Sequence, residues 1–428
     1  MDKSMSTAVD TSAAVTLPAE GDGTPLKKRL RRAERRRNLL FGALILPLAL
    51  VVLVAFIWPI GSLLTIGVAN PEIHDNLPRT LAVLKDWDGR TPPAEPAFRA
   101  LADELAAAKG SPAIAAIAKR LNRENAGYRS LIMKTARKLP LDGAVPAREA
   151  LIAVDAQWGE LATWQAIHRA GGALTPFYLL AAIDRVIDAD GNIVTAPDDE
   201  RIYVDVLLRT FWMSLIVTVC CLTLGFPVAY LMASLSTRHS NMLMIFVLLP
   251  FWTSVLVRVA AWIVLLQNEG LVNRLLMWLG LTDSPLQLLF NRFGVYVAMV
   301  HILLPFMVLP LYSVMKGISP VYMRAALSLG CPPFRSFWKI YFPQTLPGIG
   351  AGGLLVFIMC MGYYITPALL GGPKEQMLSY FIAFYTNQTI NWGMAAALSA
   401  VLLAATLLLY MVYARYLGPT RVKYMKAR

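Results

Sequence analysis

The sequence is poor in the residues from which catalytic and metal centres are usually built. Its 428 residues include only four cysteines and four histidines. The cysteines form no CxxC pair that could hold a metal, and the histidines are too far apart for an HExxH motif. We therefore expect neither a disulfide framework nor a metal site in this chain.

The sequence also lacks the glycine-rich loop with which many ATPases hold nucleotide. No segment fits GxxxxGK[ST], so the chain cannot cradle ATP phosphates by that route. A GxSxG elbow and a pair of carboxylates within the apolar stretches are missing as well. Any energy source must then lie on another polypeptide, and we expect the chain itself to be neither an enzyme nor the carrier of a cofactor.

Charge is scarce, and most of it is positive. Charged residues make up 16% of the chain and hydrophobic residues 57%, with a mean hydropathy of +0.53. Soluble globular proteins are less apolar than this, so the composition indicates an all-α, multi-pass membrane protein. Much of the net charge of +13 lies in an N-terminal run and in short loops beside the apolar stretches, which indicates cytoplasmic membrane loops and not nucleic-acid binding.

Six apolar stretches are each long enough to cross a bilayer, which takes about 20 helical residues. They occupy residues 39–69, 203–235, 242–267, 295–315, 346–370 and 392–417. We predict a disordered basic tail, a first transmembrane helix, an insert, a core of five transmembrane helices and a second tail, at residues 1–38, 39–69, 70–202, 203–417 and 418–428. The distribution of lysine and arginine around the stretches places both termini in the cytoplasm.

The insert, residues 70–202, differs in composition from the rest, with many alanines and prolines. Its helical patterns, and a Ser111-Pro112 pair typical of a helix N-terminus, predict a helical extracytoplasmic domain with a core of its own. Asp188, Asp190 and Asn192 have the spacing of a calcium loop. However, Ile193 stands where that loop needs glycine, so we expect a plain Asp-Gly turn.

Several residues in the apolar stretches are candidates for a solute pathway. A charge at the bilayer centre costs on the order of 2.5 to 3.5 kcal/mol on insertion scales, so Arg258 should face the bundle interior or a water-filled cavity. The alternative is a structural cation satisfied by helix carbonyls or a partner subunit. Glycine and proline near residues 362–373 should break the fifth span, which favours a pathway or gate position there. The candidates are Trp252, Thr253, Arg258, Trp262, His301, Tyr363, Tyr364, Thr366 and Pro367.

The stretch from Arg324 to Pro343 lies between the fourth and fifth apolar stretches. Residues 325–329 are predicted to form a short helix, with Gly330 as its stop. Pro332 and Pro333 mark the start of a second short helix, and Pro343 the start of the next span. The pattern predicts a helix-turn-helix at the membrane surface.

This stretch resembles the EAA loop of binding-protein-dependent ABC importer permeases, whose pattern is E-A-A, three residues, G, nine residues, I-x-L-P. The residues in these places are Arg324, Ala325, Ala326, Gly330, Ile340, Phe342 and Pro343. Arg324 replaces the usual glutamate and Phe342 the usual leucine. The resemblance extends over residues 203–417 and is strongest to spermidine/putrescine-type permeases. The segments that carry it are Pro250 to Ser254 with Arg258 and Trp262, Gly270 with Asn273, and Thr366-Pro367 followed by Gly371-Gly372.

The resemblance implies a transmembrane subunit of an ATP-driven importer in the bacterial inner membrane. Residues 317–345 would couple it to a dimer of ATP-binding subunits, which would carry the ATP and Mg²⁺. A second permease subunit, a periplasmic solute-binding protein and membrane lipid are the other expected partners. The expected solute is a polyamine such as putrescine or spermidine, and the alternatives are an opine, an amino-acid derivative or another small organic solute.

Two other classes of function stay open from the residues alone. An ion-coupled secondary transporter should show repeats with broken helices and acidic residues inside the membrane, and the apolar stretches contain almost no acids. A membrane enzyme or sensor would have to act through residues 70–202. Activity without an ATPase partner would favour either class over the importer.

Overall fold

The computed structural model describes residues 26–122, 124–141, 145–188, 192–198 and 200–416. The chain divides into two compact units, residues 1–62 and 63–428. Within the described residues, six helices are long and apolar enough to cross a membrane. The predicted all-α, polytopic fold is therefore confirmed.

The described residues of the first unit are helical. Helix α1 (Leu26–Val52) passes through a π turn (Leu53–Ile57) into α2 (Trp58–Ile66). The predicted disordered tail is wrong for residues 26–38, which are helical. Leucine, arginine, lysine and alanine favour helix, and an apolar helix that has already formed propagates back through them at little cost. The rest of that tail, residues 1–25, and the predicted tail 418–428 lie outside the described residues.

The insert is built of short helices that end in a small hairpin. The helices are α3 (Pro71–His74), α4 (Pro78–Leu84), α5 (Glu95–Ala107), α6 (Pro112–Leu121), α7 (Tyr128–Lys138), α8 (Ala147–Val154), a 3₁₀ turn (Ala156–Gly159), α9 (Leu161–Ala170) and α10 (Phe177–Ala181). Strands β1 (Arg185–Ile187) and β2 (Ile193–Thr195) pair antiparallel. Asp190 and the predicted Asp-Gly turn between the strands lie outside the described residues.

Tryptophan side chains form the centre of the insert's core. Trp158 and Trp164 are fully buried, and Phe98 packs on Trp164 with ring centroids 4.4 Å apart. Trp158 Nε1 donates to Thr135 Oγ1 at 2.9 Å, and Trp164 Nε1 donates to the carbonyl oxygen of Trp158 at 2.9 Å. Both buried N–H groups are thereby satisfied. The insert thus has its own core, and Ser111 caps α6 as predicted.

The membrane core follows the insert. Its helices are α11 (Tyr203–Ser234), α12 (Thr237–Leu248), a 3₁₀ turn (Leu249–Trp252), α13 (Val255–Leu266), α14 (Leu271–Trp278), α15 (Arg292–Lys316), α16 (Val321–Ser328), α17 (Pro333–Ser336), a π turn (Phe337–Tyr341), α18 (Phe342–Met361), α19 (Ile365–Leu370), a 3₁₀ turn (Pro373–Glu375), α20 (Leu378–Asn387) and α21 (Trp392–Tyr416). Helices α11, α15 and α18 pack together at its centre.

Two predicted spans are not single helices. The span predicted over residues 242–267 is wrong, because the 3₁₀ turn and an extended Thr253 separate α12 from α13. Pro250 within this turn has no N–H to continue an α-helix, and Ser254 Oγ starts α13 by accepting from the N–H of Val257 at 3.2 Å. The span over residues 346–370 is interrupted between α18 and α19, at Gly362, as its glycine and proline predicted.

Among the described residues, the insert contacts the membrane core at the start of α11 and along α21. The buried carboxylate of Asp184 accepts hydrogen bonds from the N–H groups of Ile202, Tyr203 and Val204 at 3.2, 2.9 and 2.8 Å. It therefore caps the positive end of α11. Helix α10 lies against α21, where the Tyr178 ring approaches Gly393 so closely that a Cβ atom would lie 2.5 Å from it. The insert and the core are thus joined through side chains as well as through the chain itself.

Replacing Trp158 with alanine should destabilise the insert by about 3–5 kcal/mol, because a fully buried indole and its hydrogen bond are lost. Urea-dependent pulse proteolysis of the full chain in detergent micelles measures this. The same change at the exposed Trp278 serves as the control and should have little effect. Equal resistance of the two variants would contradict the core described here.

Candidate functional site

The predicted coupling loop turns at Gly330. Helix α16 ends at Ser328, and Gly330 follows with a φ of +80°, a conformation that glycine adopts readily. The N–H of Gly330 donates to the carbonyl of Leu327 at 3.0 Å, and that of Cys331 to the carbonyl of Ala326 at 3.1 Å. These two bonds close the helix end in the way a left-handed C-cap does. The predicted helix stop is confirmed.

The second helix of the loop begins at Pro333, as predicted, but it does not end before the span. Helix α17 leads through the π turn directly into α18. The prediction of a separate short helix is therefore wrong. Pro343 has no N–H for a regular α-helical bond, and the wider π turn just before it lets the helix continue. The loop and the fifth span thus share one continuous helix, Pro333–Met361.

Aromatic rings brace this helix against α11. Phe337 and Tyr341 stack with centroids 5.6 Å apart, and Tyr230 of α11 meets them edge-on at 5.8 and 5.4 Å. Phe226, also on α11, packs on Phe342 at 5.9 Å. Aromatic packing thus joins the second helix of the loop to α11.

The outer face of the loop exposes apolar side chains on both sides of the turn. Leu329 is 87% exposed and Phe334 is 75% exposed. Arg324 is also exposed and forms no ion pair within the described part of the chain, whereas Ala326 is buried. Sequence reasoning missed Leu329 and Phe334. Apolar residues flanking a predicted left-handed glycine in a loop between spans are the signal that could have found them.

Four of the predicted pathway residues come together beside the breaks in the helices. Trp262 Nε1 of α13 lies 3.1 Å from His301 Nδ1 of α15. Arg258 lies one turn earlier on α13, and Trp262 and Tyr363 both pack against the same buried core. Helix α19 packs against α13 and α15, which brings the break at Tyr363 to the same place. We call Arg258, Trp262, His301 and Tyr363 the pathway cluster.

Backbone groups at the fifth-span break are satisfied by nearby residues. The carbonyl of Tyr363 accepts a hydrogen bond from Ser379 Oγ at 2.8 Å. The carbonyl of Pro367 accepts from the N–H of Gly371 at 3.0 Å. Thr366 is fully buried, and its hydroxyl has no partner among the described residues. Hydrogen bonds from the protein thus satisfy the carbonyls at the break. The unpaired Thr366 hydroxyl lies at its edge.

The remaining candidates lie apart from the pathway cluster. Trp252 is 77% exposed, and its neighbour Phe251 packs inward instead, on Phe306 with centroids 4.9 Å apart. Thr253 is exposed and its hydroxyl donates to the carbonyl of Pro250 at 3.0 Å. Tyr364 is exposed as well. No hydrogen bond or ring contact in the described residues joins these three to the cluster.

Comparison with known proteins identifies relatives of the membrane core. Residues 225–423 match the family model described as "Binding-protein-dependent transport system inner membrane component". The spermidine/putrescine transport system permease protein PotB of Escherichia coli K12 is 36% identical over 216 residues, which are 50% of this chain and 78% of the relative. The Haemophilus influenzae protein of that name is 35% identical over 214 residues, 50% of this chain and 75% of the relative.

Two further comparisons are more distant. The inner membrane ABC transporter permease protein YdcU of E. coli K12 is 32% identical over 232 residues, covering 50% of this chain and 72% of the relative. A crystal structure of a bacterial alginate ABC transporter, in complex with an alginate pentasaccharide-bound periplasmic protein, matches 51% of this chain and 80% of its own chain. That match has a TM-score of 0.43 and 16% identity. On the sequence matches, the chain belongs to the family of inner membrane components of binding-protein-dependent transport systems, the permease subunits of ABC importers.

Proposed function

We propose that this permease subunit imports a polyamine, such as putrescine or spermidine, that a periplasmic binding protein delivers. A dimer of ATP-binding subunits drives the movement, and a second permease subunit completes the pathway. The observation that carries the proposal is the coupling loop: a left-handed turn at Gly330 presents Leu329 and Phe334 to a partner and is braced against two spans. The names of the 35–36% identical relatives support the polyamine.

The charges support an orientation with both termini in the cytoplasm. All the acidic residues between residues 203 and 416 belong to the end of the core that bears the insert: Asp205, Glu269, Asp283 and Glu375. The opposite end has only basic residues, among them Arg238, Lys316, Arg335 and Lys339. Cytoplasmic loops are rich in lysine and arginine, so the coupling loop is cytoplasmic and the insert faces the periplasm.

The coupling loop suits a groove on an ATP-binding subunit. Exposed apolar residues next to a rigid turn form a compact surface that can enter such a groove. Arg324, without an ion pair in the described residues, would meet an acidic side chain there. ATP and Mg²⁺ bind to that subunit, and this chain supplies no ligand to them. Closure of the ATP-binding dimer then moves the continuous helix Pro333–Met361 and, through Tyr230, α11.

The pathway cluster suits a passage shared between two subunits. Arg258 and Trp262 are only partly buried, so this chain lines one wall. Aromatic faces such as that of Trp262 attract alkylammonium groups, whereas Arg258 repels them. The carboxylates that balance a polyamine's charge must then come from the second permease subunit, which would also neutralise Arg258.

Arg258 also favours a second candidate solute. A guanidinium in a membrane pathway binds carboxylates well, and the pathway cluster contains no acid of its own. An amino-acid derivative or an opine, each of which carries a carboxylate, would use Arg258 directly. The measured response to solute separates this candidate from the polyamine.

Replacing Gly330 with valine should uncouple the loop. A β-branched residue at a φ of +80° costs about 1–2 kcal/mol, although a Cβ would meet no neighbouring atom there. The docking-competent form of the loop should therefore become about tenfold rarer. The variant should still insert in the membrane, while solute uptake falls and ATP hydrolysis no longer responds to the loaded binding protein.

Gly330→Asn is the matched control, because asparagine tolerates positive φ and should keep most of the coupling. Uptake and solute-stimulated ATP hydrolysis by the reconstituted complex are the measurements. Normal values in Gly330→Val would refute the role of this loop, and equal loss in both variants would show that backbone conformation is not the cause.

The solute class is tested with the same complex in proteoliposomes. Putrescine or spermidine, with the cognate binding protein, should raise the ATP hydrolysis rate several-fold over the basal rate. Arginine-derived opines and amino-acid derivatives are the comparison. A response to these and none to any polyamine would replace the polyamine with the second candidate.

A further inference from the structure

An apolar groove lies between α11 and the helix that follows the Gly330 turn. Its volume is about 430 Å³, within the usual range for small-ligand sites. Side chains of both helices line it, among them Leu222, Thr223, Phe226, Trp338, Phe342 and Ile349. The hydroxyl of Thr223 donates to the carbonyl of Val219 at 2.8 Å, so it is already satisfied within α11. The groove therefore suits an apolar ligand.

The groove has the length of one leaflet of a bilayer. From Phe337 to Ile349, which both line it, the helix rises about 18 Å at about 1.5 Å per residue. Half of a hydrocarbon core of about 30 Å is about 15 Å. Thr223 and Trp338 are exposed, so the groove opens on the surface of the protein. A single acyl chain that enters from the surrounding membrane fits this length.

Aromatic rings form the boundary of the groove at the end nearest the coupling loop. Trp338 packs on Phe342 with ring centroids 4.7 Å apart, and Phe342 packs on Phe226 at 5.9 Å. Phe334, one turn before Trp338, has its centroid 6.3 Å from that ring. Trp338 is 48% exposed, and tryptophan in such a place is typical of the membrane–water interface. The rings thus mark the level at which the groove reaches the membrane surface.

Two basic side chains, Arg335 and Lys339, lie beside this end of the groove. Lys339 follows Trp338 in the chain, and Arg335 lies one turn before Lys339 on the same side of the helix. Both are exposed, and neither forms an ion pair or a side-chain hydrogen bond within the described part of the chain. The acidic residues between 203 and 416 all belong to the opposite end of the core. This basic pair therefore favours an anion from outside the chain.

An anionic phospholipid supplies both parts in the order that the groove requires. Its acyl chain is apolar, and its phosphate lies at the membrane surface. Each lysine or arginine near that surface favours an anionic lipid by about fivefold. Long basic side chains also reach the headgroups while their stems stay on apolar surface. A free anion has no apolar part for the groove, and a neutral lipid leaves the basic pair without a counter-charge.

We propose that this groove binds one anionic phospholipid, such as phosphatidylglycerol. The phosphate accepts hydrogen bonds from Arg335 and Lys339, and one acyl chain lies between α11 and α18. The lipid packs on Phe226 and Phe342, the rings that join the second helix of the loop to α11. This inference does not depend on the transported solute or on an ATP-binding subunit.

Native mass spectrometry of the full chain tests the proposal. The chain is released from nanodiscs that contain equal amounts of phosphatidylglycerol and phosphatidylcholine with the same acyl chains. The two lipids share the phosphate and the chains, but only phosphatidylglycerol has a net negative charge. Wild-type protein should retain one phosphatidylglycerol in preference to phosphatidylcholine. Arg335→Gln combined with Lys339→Gln should lower that preference about 25-fold, about fivefold for each residue.

Two further variants separate the groove from the charge of the whole surface. Arg238→Gln combined with Lys316→Gln removes the same number of exposed basic charges from the same end of the core, outside the groove, and should keep the preference. Thr223→Trp leaves the basic pair intact and narrows the groove from its α11 wall, so it should abolish the preference. Unfolding temperatures in micelles establish that every variant is folded.

Four outcomes would overturn the proposal. The first is equal retention of the two lipids by wild type, and the second is an equal loss of preference in the two double variants. A preference that is unchanged in Thr223→Trp would place the lipid on the basic surface and outside the groove. The fourth concerns another occupant. If the isolated chain retains phosphatidylglycerol and the complex purified from membranes does not, a second subunit covers the groove and a lipid does not.

Discussion

A bilayer supplies no hydrogen bonds, and this constraint determines where the chain can depart from helix. Thr253 and Tyr363 are two of the places where the membrane core departs from helix. At the first break the hydroxyl of Thr253 donates to the carbonyl of Pro250, and at the second Ser379 Oγ donates to the carbonyl of Tyr363. At each break a nearby hydroxyl group thus satisfies a backbone carbonyl that the helix leaves free.

The two ends of the core differ in how their helix ends are held. At the insert end, Asp184 caps α11 and Tyr178 packs on Gly393, so the helix ends are held in place. At the other end, the turn at Gly330 is exposed, and the helix that follows it continues unbroken into the fifth span. The second helix of the loop and the fifth span are therefore one structural element, Pro333–Met361.

Patterns in the sequence predicted the parts that local chemistry determines. The spacing around Gly330 gave the turn, Ser111-Pro112 gave the start of α6, and glycine near Tyr363 gave the second break. The break at Thr253 was missed, because hydropathy continues through it and only Pro250 marks it. The continuity of α17 with α18 depends on a π turn, and the Trp262–His301 contact depends on packing between helices distant in sequence. Neither leaves a periodic signal.

The central claim is that the Gly330 turn meets an ATP-binding subunit on the cytoplasmic side. Site-directed cross-linking in the assembled complex tests it, in a variant without native cysteines and with a single cysteine at Leu329. A short thiol–amine cross-linker should join this cysteine to the ATP-binding subunit, with a yield that changes when ATP is bound. A cysteine at the exposed Ala107 of the insert should give no such product. Cross-linking of the ATP-binding subunit at Ala107 and not at Leu329 would contradict both the role of the loop and the orientation of the chain.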